Sequence, residues 1–301
     1  MRLVYTADVH GDIASYQSLL NFAAQEDAHA VIVGGDLLPR TIKRDTAIAT
    51  QRTFVEHQLR PLLHAFRMLY PNKAVYLLAG NDDWAAAVQA LGILEEDDLA
   101  WPLHERVYAL TPLLRTTPPA LTGAGPGVRA NLRLAGYACV PLTPFSIKDY
   151  ERMDDDVASG HSFGMAYTSV DGDVRPLSAA EFARRPSLAD DLAWLAQQSD
   201  PARTIYVCHT PPADTPLDVT SRGKHVGSRA LRVFIEQHQP PLTLHGHIHE
   251  APQMTGQYAT RIGRTWCVNP GHNERQFQAV VFDTDDIAGT LEHTVFGKFT
   301  V

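Results

Sequence analysis

The strongest constraint on the fold is a recurring pattern in which a short apolar run ends at residues able to bind a metal ion. Short apolar runs bounded by glycine or polar residues are typical of buried strands. In open α/β sheets, ligands bind just beyond the carboxyl ends of the strands. Five blocks follow such runs, and they are therefore predicted to converge on one site. The blocks are Asp8-Val9-His10, Gly34-Gly35-Asp36, Gly80-Asn81-Asp82-Asp83, His209, and His245-Gly246-His247-Ile248-His249.

Helix signals separate the first of these runs, which predicts parallel β-α-β units and an α/β fold. Asp12 is a suitable N-cap for a helix that ends near Ala24. A long amphipathic stretch covers residues 45–69, and a kink is expected at Pro61. Residues 84–91 are predicted to form a further helix.

The second half of the chain is less regular, and its predicted elements follow from turn residues and local periodicity. They are an exposed loop at 111–130, a strand at 132–139, an irregular segment at 154–176 that could cover the site, a helix at 179–198 broken at Pro186, a helix at 228–237, and β-strands within 265–301. We find no internal repeat or linker that divides the sequence. The chain is therefore predicted to form a single domain, 1–301.

Composition favours a soluble globular protein and argues against long nucleic acid as a partner. The chain has 26 Lys and Arg residues against 34 Asp and Glu residues, a net charge of −8, and it lacks a long basic cluster. Proteins that bind long nucleic acids usually carry a basic stripe. A small phosphorylated or nucleotide-like substrate remains compatible with this charge. The sequence does not predict the oligomeric state.

The start of the chain and its cysteines indicate the compartment. The first residues lack the basic and apolar regions of a signal peptide. No apolar stretch approaches the roughly 20 residues that span a bilayer. Cys139, Cys208 and Cys267 are isolated in the sequence, unlike the cysteines of a disulfide framework or a zinc ribbon. We therefore expect a cytoplasmic protein that does not associate with membranes.

The blocks contain the ligand types of a site for two divalent ions. Period-two geometry would put Asp8 and His10 on the same side of an extended segment. The carboxylate of Asp36 has two oxygens and could bridge two ions, and Asn81 offers a neutral amide oxygen. Mixed oxygen and nitrogen ligands suit Mn, Fe, Ni, Co or Zn without choosing among them. Each motif alone has a structural explanation, whereas their ordered occurrence at strand ends favours one binuclear centre.

Together, the five blocks resemble those of the calcineurin-like metallophosphoesterase superfamily, and they extend over most of the chain. The resemblance implies an α/β fold, a four-layer α/β/β/α sandwich, with the metals at one edge of the sheets. It implies that one ion is held by Asp8, His10, Asp36 and His249. It implies that the other ion is held by Asp36, Asn81, His209 and His247. The turn Asn269-Pro270-Gly271 is similar to a turn of bacterial members.

The expected function is metal-dependent hydrolysis of a phosphoester by a hydroxide that two metal ions activate. Asp36, Asn81 and Asp82 are the predicted catalytic residues. Many members of the superfamily have a histidine where this chain has Asp82. An ionised carboxylate there repels a phosphate dianion and cannot donate a proton, which favours a phosphodiesterase. If burial raises the pKa of Asp82, this residue could instead serve as a general acid.

Other functions stay open at this point. A phosphomonoesterase or nucleotidase would use the same metals. A nuclease is disfavoured by the acidic charge. A non-catalytic scaffold on the same fold would be expected to have lost ligand positions, whereas all seven are filled in this sequence.

Two segments are candidates for the substrate side of the site. Lys148 and Tyr150 follow a turn restricted by proline, where they could form a pocket wall or a rigid surface connection. His225 precedes a helix whose predicted N-cap is Ser228, and a helix N-terminus can bind an anion, although a plain solvated loop explains this segment equally well. The sequence leaves open the roles of His161, His245 and His272.

Overall fold

Alternate side chains of the first buried strand face two different hydrophobic cores. In the computed structural model, Leu3 and Tyr5 pack in one core, whereas Val4 packs in the other. Successive side chains of a strand point to opposite faces, so this sheet is covered on both sides. The structure describes residues 1–40, 43–110, 132–154 and 163–299.

The strands of the described residues belong to two large sheets and two small ones. They are β1 (Arg2–Thr6), β2 (Ala30–Gly34), β3 (Ala74–Leu78), β4 (Trp101–Pro102), β5 (Val107–Ala109), β6 (Arg133–Tyr137), β7 (Val140–Pro141), β8 (Glu151–Arg152), β9 (Tyr167–Val170), β10 (Asp173–Pro176), β11 (Thr204–Cys208), β12 (Leu242–Leu244), β13 (Ala259–Ile262), β14 (Thr265–Val268), β15 (Val280–Asp283), β16 (Glu292–His293) and β17 (Gly297–Lys298).

Both large sheets have a parallel centre with antiparallel strands at an edge. The first has the strand order β17-β16-β15-β1-β2-β3-β4, and β1 to β4 run parallel. The second has the order β13-β14-β12-β11-β6-β5, with β6, β11, β12 and β14 parallel. The small sheets pair β7 with β8 and β9 with β10. The parallel centres direct the carboxyl ends of several strands to the same edge of each sheet.

The described residues also form ten α-helices. They are α1 (Ile13–Gln25), α2 (Arg44–Phe54), α3 (Arg60–Leu69), α4 (Ala85–Val88), α5 (Gly92–Glu96), α6 (Ala179–Phe182), α7 (Leu188–Gln198), α8 (Arg229–His238), α9 (Ala251–Thr255) and α10 (Ile287–Thr290). Short 3₁₀ segments lie at Gln89–Leu91, Pro201–Arg203 and Pro216–Asp218. Among the described residues, no helix is both long enough and apolar enough to cross a membrane.

The packing of these elements gives four layers. Side chains of α1, α2 and α3 join the outer face of the first sheet in one core, which includes Leu19 and Leu63. The other core joins the two sheets to each other and to α7 and α8, and it includes Leu3, Ile205 and Leu231. The mixed α/β architecture with two mixed sheets is the α/β/β/α sandwich that the resemblance implies, so that prediction is confirmed.

Several helix boundaries follow the sequence signals. Asp12 caps α1, and its carboxylate accepts hydrogen bonds from the backbone N–H groups of Ala14 and Ser15. The helix predicted at 179–198 is broken before Pro186, as expected, into α6 and α7. The predictions for the loop at 111–130 and for His161 lie outside the described residues, as does part of the segment at 154–176.

The helical stretch predicted at 45–69 is interrupted next to Pro61. A π-helical turn at Val55–Leu59 separates α2 from α3, which begins at Arg60. The backbone stays helical through Phe54, Leu59 and Arg60. A proline inside a helix removes a hydrogen bond and disturbs the preceding turn, which is where the wider π-helical turn lies.

Candidate metal centre

The side chains of the five sequence blocks meet where strands of both large sheets end. Asp8 and His10 follow β1, Asp36 follows β2, and Asn81 follows β3. From the second sheet, His209 follows β11, and His247 and His249 follow β12. The backbone connects the loops directly, because the N–H groups of Asp8 and His10 donate to the carbonyls of Gly35 and Asp36 at 3.0 and 2.8 Å. The site is therefore built across the boundary between the two sheets.

The backbone at the site differs from the extended geometry expected for Asp8 and His10. Their φ angles are 60° and 47°, and Asp36 and His247 have φ angles of 48° and 66°. Left-handed backbone is uncommon for residues other than glycine, and such conformations cluster at functional sites. The expectation of period-two extended geometry is wrong here. The side chains of Asp8 and His10 converge because the loop turns sharply at both positions.

The first half of the site brings four ligand atoms to one point. One atom from each of Asp8, His10, Asp36 and His249 lies within 4.8 Å of the others. The Nε2 atoms of His10 and His249 are 3.3 Å apart, and Nε2 of His249 is 3.3 Å from Oδ1 of Asp8. Two carboxylates and two imidazoles at these distances form a cluster that could hold one divalent ion.

The second half of the site lies on the other side of Asp36. Nε2 of His209 is 3.5 Å from Oδ2 of Asp36, and the same carboxylate oxygen is 3.9 Å from Nε2 of His10. The rings of His209 and His247 have their centroids 5.3 Å apart. Asn81 is buried next to Asp82, whose backbone N–H donates to Oδ1 of Asp36 at 2.8 Å. Asp36 is thus the carboxylate that lies between the two groups of ligands.

Buried polar atoms without hydrogen-bond partners test whether metals fit this site. Nε2 of His209, Oδ1 of Asn81 and Nδ1 of His10 have no partner among the described residues. Such atoms are costly to bury, and most buried polar atoms in proteins are paired. The Nδ1 atom of His209 lies 2.9 Å from the carbonyl of Gly34, an arrangement that leaves Nε2 for a metal. The unpaired atoms of His209 and Asn81 therefore fit a cation bound in the second half.

The electrostatic environment keeps the carboxylates charged and two of the imidazoles neutral. Burial raises the pKa values of Asp8 and Asp36, but neighbouring histidines, His249 and His209 foremost, outweigh it and hold both pKa values well below their usual range. Burial lowers the pKa of His10 to about 4 and that of His247 to about 3. Near neutral pH, these two rings are therefore uncharged and can offer a lone pair to a cation.

Two glycines allow the close approach that this site requires. Gly35 has a φ of 121°, and a Cβ there would lie 2.0 Å from Nδ1 of His209. A Cβ on Gly80 would lie 2.2 Å from Oδ1 of Asp36 and 2.3 Å from its backbone nitrogen. Any larger residue at either position would push a side chain out of the centre.

Asp82 lies at the solvent side of the centre and is paired with an arginine. Nε of Arg40 donates to Oδ2 of Asp82 at 2.8 Å, and Nδ1 of His10 is 3.7 Å from the same oxygen. Burial, followed by the charge of Asp36, raises the pKa of Asp82, and Arg40 acts in the opposite direction. Sequence analysis missed Arg40, because its partner lies 42 residues away and no local motif connects them.

Asp83 is a second residue that sequence analysis left without a role. It is fully buried, and its carboxylate accepts hydrogen bonds from the backbone N–H groups of Leu37, Leu38 and Gly80 at 2.8–2.9 Å. These bonds fasten the loop after β2 to the loop after β3. Asp83 therefore positions Asp36 and Asn81. In the sequence, the one indication of this role is the second aspartate of the block Gly80-Asn81-Asp82-Asp83.

Lys148 and Tyr150, which were expected to form a pocket wall or a rigid connection, are buried and are not among the residues that line the cavity beside His247. Lys148 is 3% exposed, and its ammonium is 2.8 Å from Oε2 of Glu151. It also donates to the carbonyls of Thr143, at 2.9 Å, and Phe145. Tyr150 is 6% exposed and belongs to the hydrophobic core. A buried ammonium needs such partners, which explains why Lys148 turns inward.

His225 lies at a cavity of about 600 Å³ that also reaches His247 of the metal centre. Its Nδ1 is 2.6 Å from Oδ1 of the buried Asp218. The N-terminus of α8 behind this loop is occupied by Asp154, whose carboxylate accepts from the backbone N–H groups of Arg229 and Ala230. The anion site suggested for that helix end is therefore taken by a side chain of the protein itself.

The remaining histidines of the sequence motifs separate into two groups. His245 is buried, and its Nδ1 lies 2.9–3.0 Å from the carbonyls of Cys208 and Thr210, which is a structural role. His272 lies beside the centre, with its ring centroid 5.8 Å from that of His10 and 5.3 Å from that of His249. His272 is a neighbour of the first half that the sequence motifs alone did not assign.

Comparison with known proteins agrees with this fold. A solved structure with 15% sequence identity has a TM-score of 0.61 and covers 98% of this chain and 99% of its own. The structure of TT1561 of Thermus thermophilus, at 17% identity, has a TM-score of 0.56 and covers 98% of both chains. A dimetal phosphatase from Danio rerio is 11% identical with a TM-score of 0.48, covering 93% of this chain and 91% of its own. No curated protein matches the sequence.

The four-layer fold and its cluster of aspartates and histidines define a phosphoesterase with a metal-binding centre. The family model described as calcineurin-like phosphoesterase matches residues 1–251. The chain therefore belongs to the calcineurin-like phosphoesterase family, as the resemblance predicted. Its cluster of Asp8, His10, Asp36 and His249 could hold a metal ion.

Proposed function

We propose that the protein is a phosphodiesterase that uses two metal ions to hydrolyse small or nucleotide-like phosphodiesters. The observation that carries this proposal is the position of Asp36 between two groups of ligand atoms. Oδ2 of Asp36 is 3.9 Å from Nε2 of His10, in the first group, and 3.5 Å from Nε2 of His209, in the second. A buried carboxylate close to nitrogen ligands of both groups suits a bridge between two cations.

The protein residues bind and orient the components of the reaction. When bound, two divalent ions would supply an activated water and would neutralise charge on the phosphate oxygens. Asp8, His10, Asp36 and His249 are proposed to hold one ion, and Asn81, His209 and His247 complete the other with Asp36. Asp83 fixes the loops that carry Asp36 and Asn81. The ligand types do not distinguish among Mn, Fe, Ni, Co and Zn.

The ionised form of Asp82, which the pair with Arg40 stabilises, supports a diester over a monoester, whereas the protonated form that burial favours would act as a general acid. Its carboxylate lies 3.7 Å from His10 at the solvent side of the centre, where a histidine would offer a positive charge and a proton. A phosphodiester carries one negative charge, so it suffers less repulsion than a phosphate dianion. The cavity beside His247 offers space for an ester substituent.

A phosphomonoesterase or nucleotidase is the second candidate, and the arginine near Asp82 favours it. Arg40 pairs with Asp82 at 2.8 Å and offsets part of its negative charge. A nuclease receives less support because the chain has a net charge of −8. A non-catalytic scaffold receives little support because the proposed ligand positions are all filled and converge.

Metal analysis and turnover of two matched esters test this proposal. We expect two metal ions per chain and a higher kcat/KM for bis-p-nitrophenyl phosphate than for p-nitrophenyl phosphate. A preference for the monoester would favour the second candidate. Competition by oligonucleotides in the same assay would favour a nuclease. Full metal occupancy without turnover of either ester would contradict a catalytic function.

A further inference from the structure

The cavity beside the metal centre has one apolar wall. Pro141, Leu142, Pro144 and Phe145 line it, and Val226 lies in the loop that forms another part of the lining. The side chain of Phe145 is 58% exposed although it is large and apolar. The metal ligand His247 lies in the same lining, so the cavity leads directly from the metal centre. An apolar group attached to a phosphate bound there could cover the exposed ring.

Three cations line the same cavity. They are Arg222, Lys224 and Arg229, and none of their side chains forms an ion pair with any part of the chain that the structure describes. Arg222 and Lys224 lie in the exposed loop that precedes α8. Cations that have no ion-pair partner among the described residues and that line a concave site attract an anionic ligand.

The acidic groups of the lining are engaged with backbone amides. Glu250 accepts a hydrogen bond from the N–H of Ser221 at 2.8 Å. Asp154 accepts from Ser228 Oγ and from the N–H groups of Arg229 and Ala230. These carboxylates fix the loop and the start of α8, and three cations oppose them. Among the lining residues that the structure describes, three cations therefore outnumber two carboxylates, in contrast to the net charge of −8 for the whole chain.

We infer that this cavity is a subsite for a nucleotide-like substituent that combines an apolar planar group with a second anionic group. The apolar group would pack against Phe145, and the second anion would lie near Arg222 and Lys224. The inference rests on the proposed function, because the phosphoryl group that reacts would be held at the metal centre next to His247. The substrate class that fits this cavity is a nucleotide-like ester with a second phosphate away from the reacting one.

Three ligands of increasing size separate the contributions of the subsite. Inorganic phosphate has only the group for the metal centre, AMP adds an apolar planar group, and adenosine 3′,5′-bisphosphate adds a second phosphate. Calorimetric titration of the metal-loaded protein should give Kd values that fall in this order. Two additional exposed ion pairs should make the bisphosphate bind about 2- to 30-fold more tightly than AMP.

Substitutions in the lining test which residues provide each increase in affinity. Arg222→Ala/Lys224→Ala should remove the advantage of the bisphosphate over AMP and leave binding of inorganic phosphate unchanged. Phe145→Ala should reduce the advantage of AMP over inorganic phosphate. The control Arg203→Ala/Lys298→Ala makes the same change in net charge at exposed positions outside the lining. It should bind all three ligands as the wild type does.

Equal Kd values of the wild type for AMP and the bisphosphate would overturn the inference. So would an advantage of the bisphosphate that persists in Arg222→Ala/Lys224→Ala. Because binding is measured without turnover, failure of the proposed function gives a different result. In that case the bisphosphate would still bind through Arg222 and Lys224, while the bis-p-nitrophenyl ester would not be hydrolysed.

Discussion

Asp36 is the residue on which both halves of the centre depend. Its Oδ2 is within 3.9 Å of Nε2 of both His10 and His209, whereas Asn81 is proposed to serve only the second half. The backbone of Asp36 has a φ of 48°. Gly80 lies so close to Asp36 that a Cβ on residue 80 would clash with it. A local conformation of this kind is retained only where surrounding contacts support it. The two positions should therefore respond differently to substitution.

Asp36→Asn should abolish turnover and weaken binding of both ions, because it removes the negative charge between them. Substituting a residue that only hydrogen-bonds to a metal ligand typically lowers metal affinity or activity about 10–100-fold. Because Asp36 is a proposed ligand itself, we expect its loss to lower activity more than about 100-fold. Asn81→Ala should lower occupancy mainly at one ion, and excess metal should restore part of the activity. Metal content and kcat measured over a metal titration separate the two variants. Asp173→Asn, at an exposed position, is the control and should keep full activity. Equal losses of activity in Asp36→Asn and Asn81→Ala that excess metal does not restore would contradict this assignment.

The charge of Asp82, next to Arg40, is expected to influence whether the protein prefers a diester or a monoester. Asp82→His should shift preference toward a monoester, because an imidazolium attracts the dianion and can donate a proton. General-acid assistance typically contributes 10²–10⁴-fold. The measurement is the ratio of kcat/KM for the diester and monoester nitrophenyl phosphates, with an alkyl monoester included because nitrophenolate needs little proton transfer. An unchanged ratio with both metals bound would show that Asp82 does not determine the substrate class.

Sequence reasoning is strongest for residues that lie directly at strand ends. Asp8, Asp36 and His209 could be identified because each follows an apolar run whose burial is evident from composition. Arg40 could not be identified, because its contact with Asp82 depends on how two loops fold against each other. The left-handed backbone at Asp8 and His10 could not be predicted either, because neither residue type requires a positive φ.

At the scale of elements, Lys148 shows how a loop can hide a charge. The segment between β7 and β8 folds so that Lys148 and Glu151 form an ion pair inside the protein. Glu151 also accepts from the N–H of Thr143 at 2.8 Å and from its hydroxyl. A sequence pattern of proline, aromatic and lysine predicts a turn, but it does not predict which side chains the turn encloses.

Lys148→Ala should destabilise the protein rather than weaken substrate binding, because it leaves Glu151 as a buried charge without its partner. Removing one member of a buried ion pair costs about 3–5 kcal/mol of unfolding free energy. Lys148→Met/Glu151→Gln removes both charges and keeps an oxygen for Thr143, so it should lose much less. Urea unfolding measures both effects, and KM should stay unchanged in each variant. A Lys148→Ala protein with unchanged stability and a raised KM would contradict this prediction and would indicate that Lys148 contributes to substrate binding.

At the scale of the whole molecule, the metal centre connects the two large sheets. Asp8, His10, Asp36 and Asn81 follow strands of the first sheet, whereas His209, His247 and His249 follow strands of the second. The sheets also share a hydrophobic core that includes Leu3 and Ile205. Bound ions would therefore add bonds between layers that already pack together. The prediction of one domain over 1–301 implies that both sheets unfold in one cooperative step.

Metal removal should lower the unfolding temperature of both sheets together, because ions that bind only the folded protein stabilise it by mass action. At a free metal concentration 100 times the Kd, this stabilisation is about 2.7 kcal/mol, which corresponds to about 4 °C for a single-domain chain of 301 residues. Calorimetry with and without a chelator measures the shift, and amide hydrogen exchange reports each sheet. Asp36→Asn is the matched control, since its unfolding temperature should respond little to metal. Two separate transitions, or protection gained by one sheet alone, would contradict a centre that joins the sheets of a single domain.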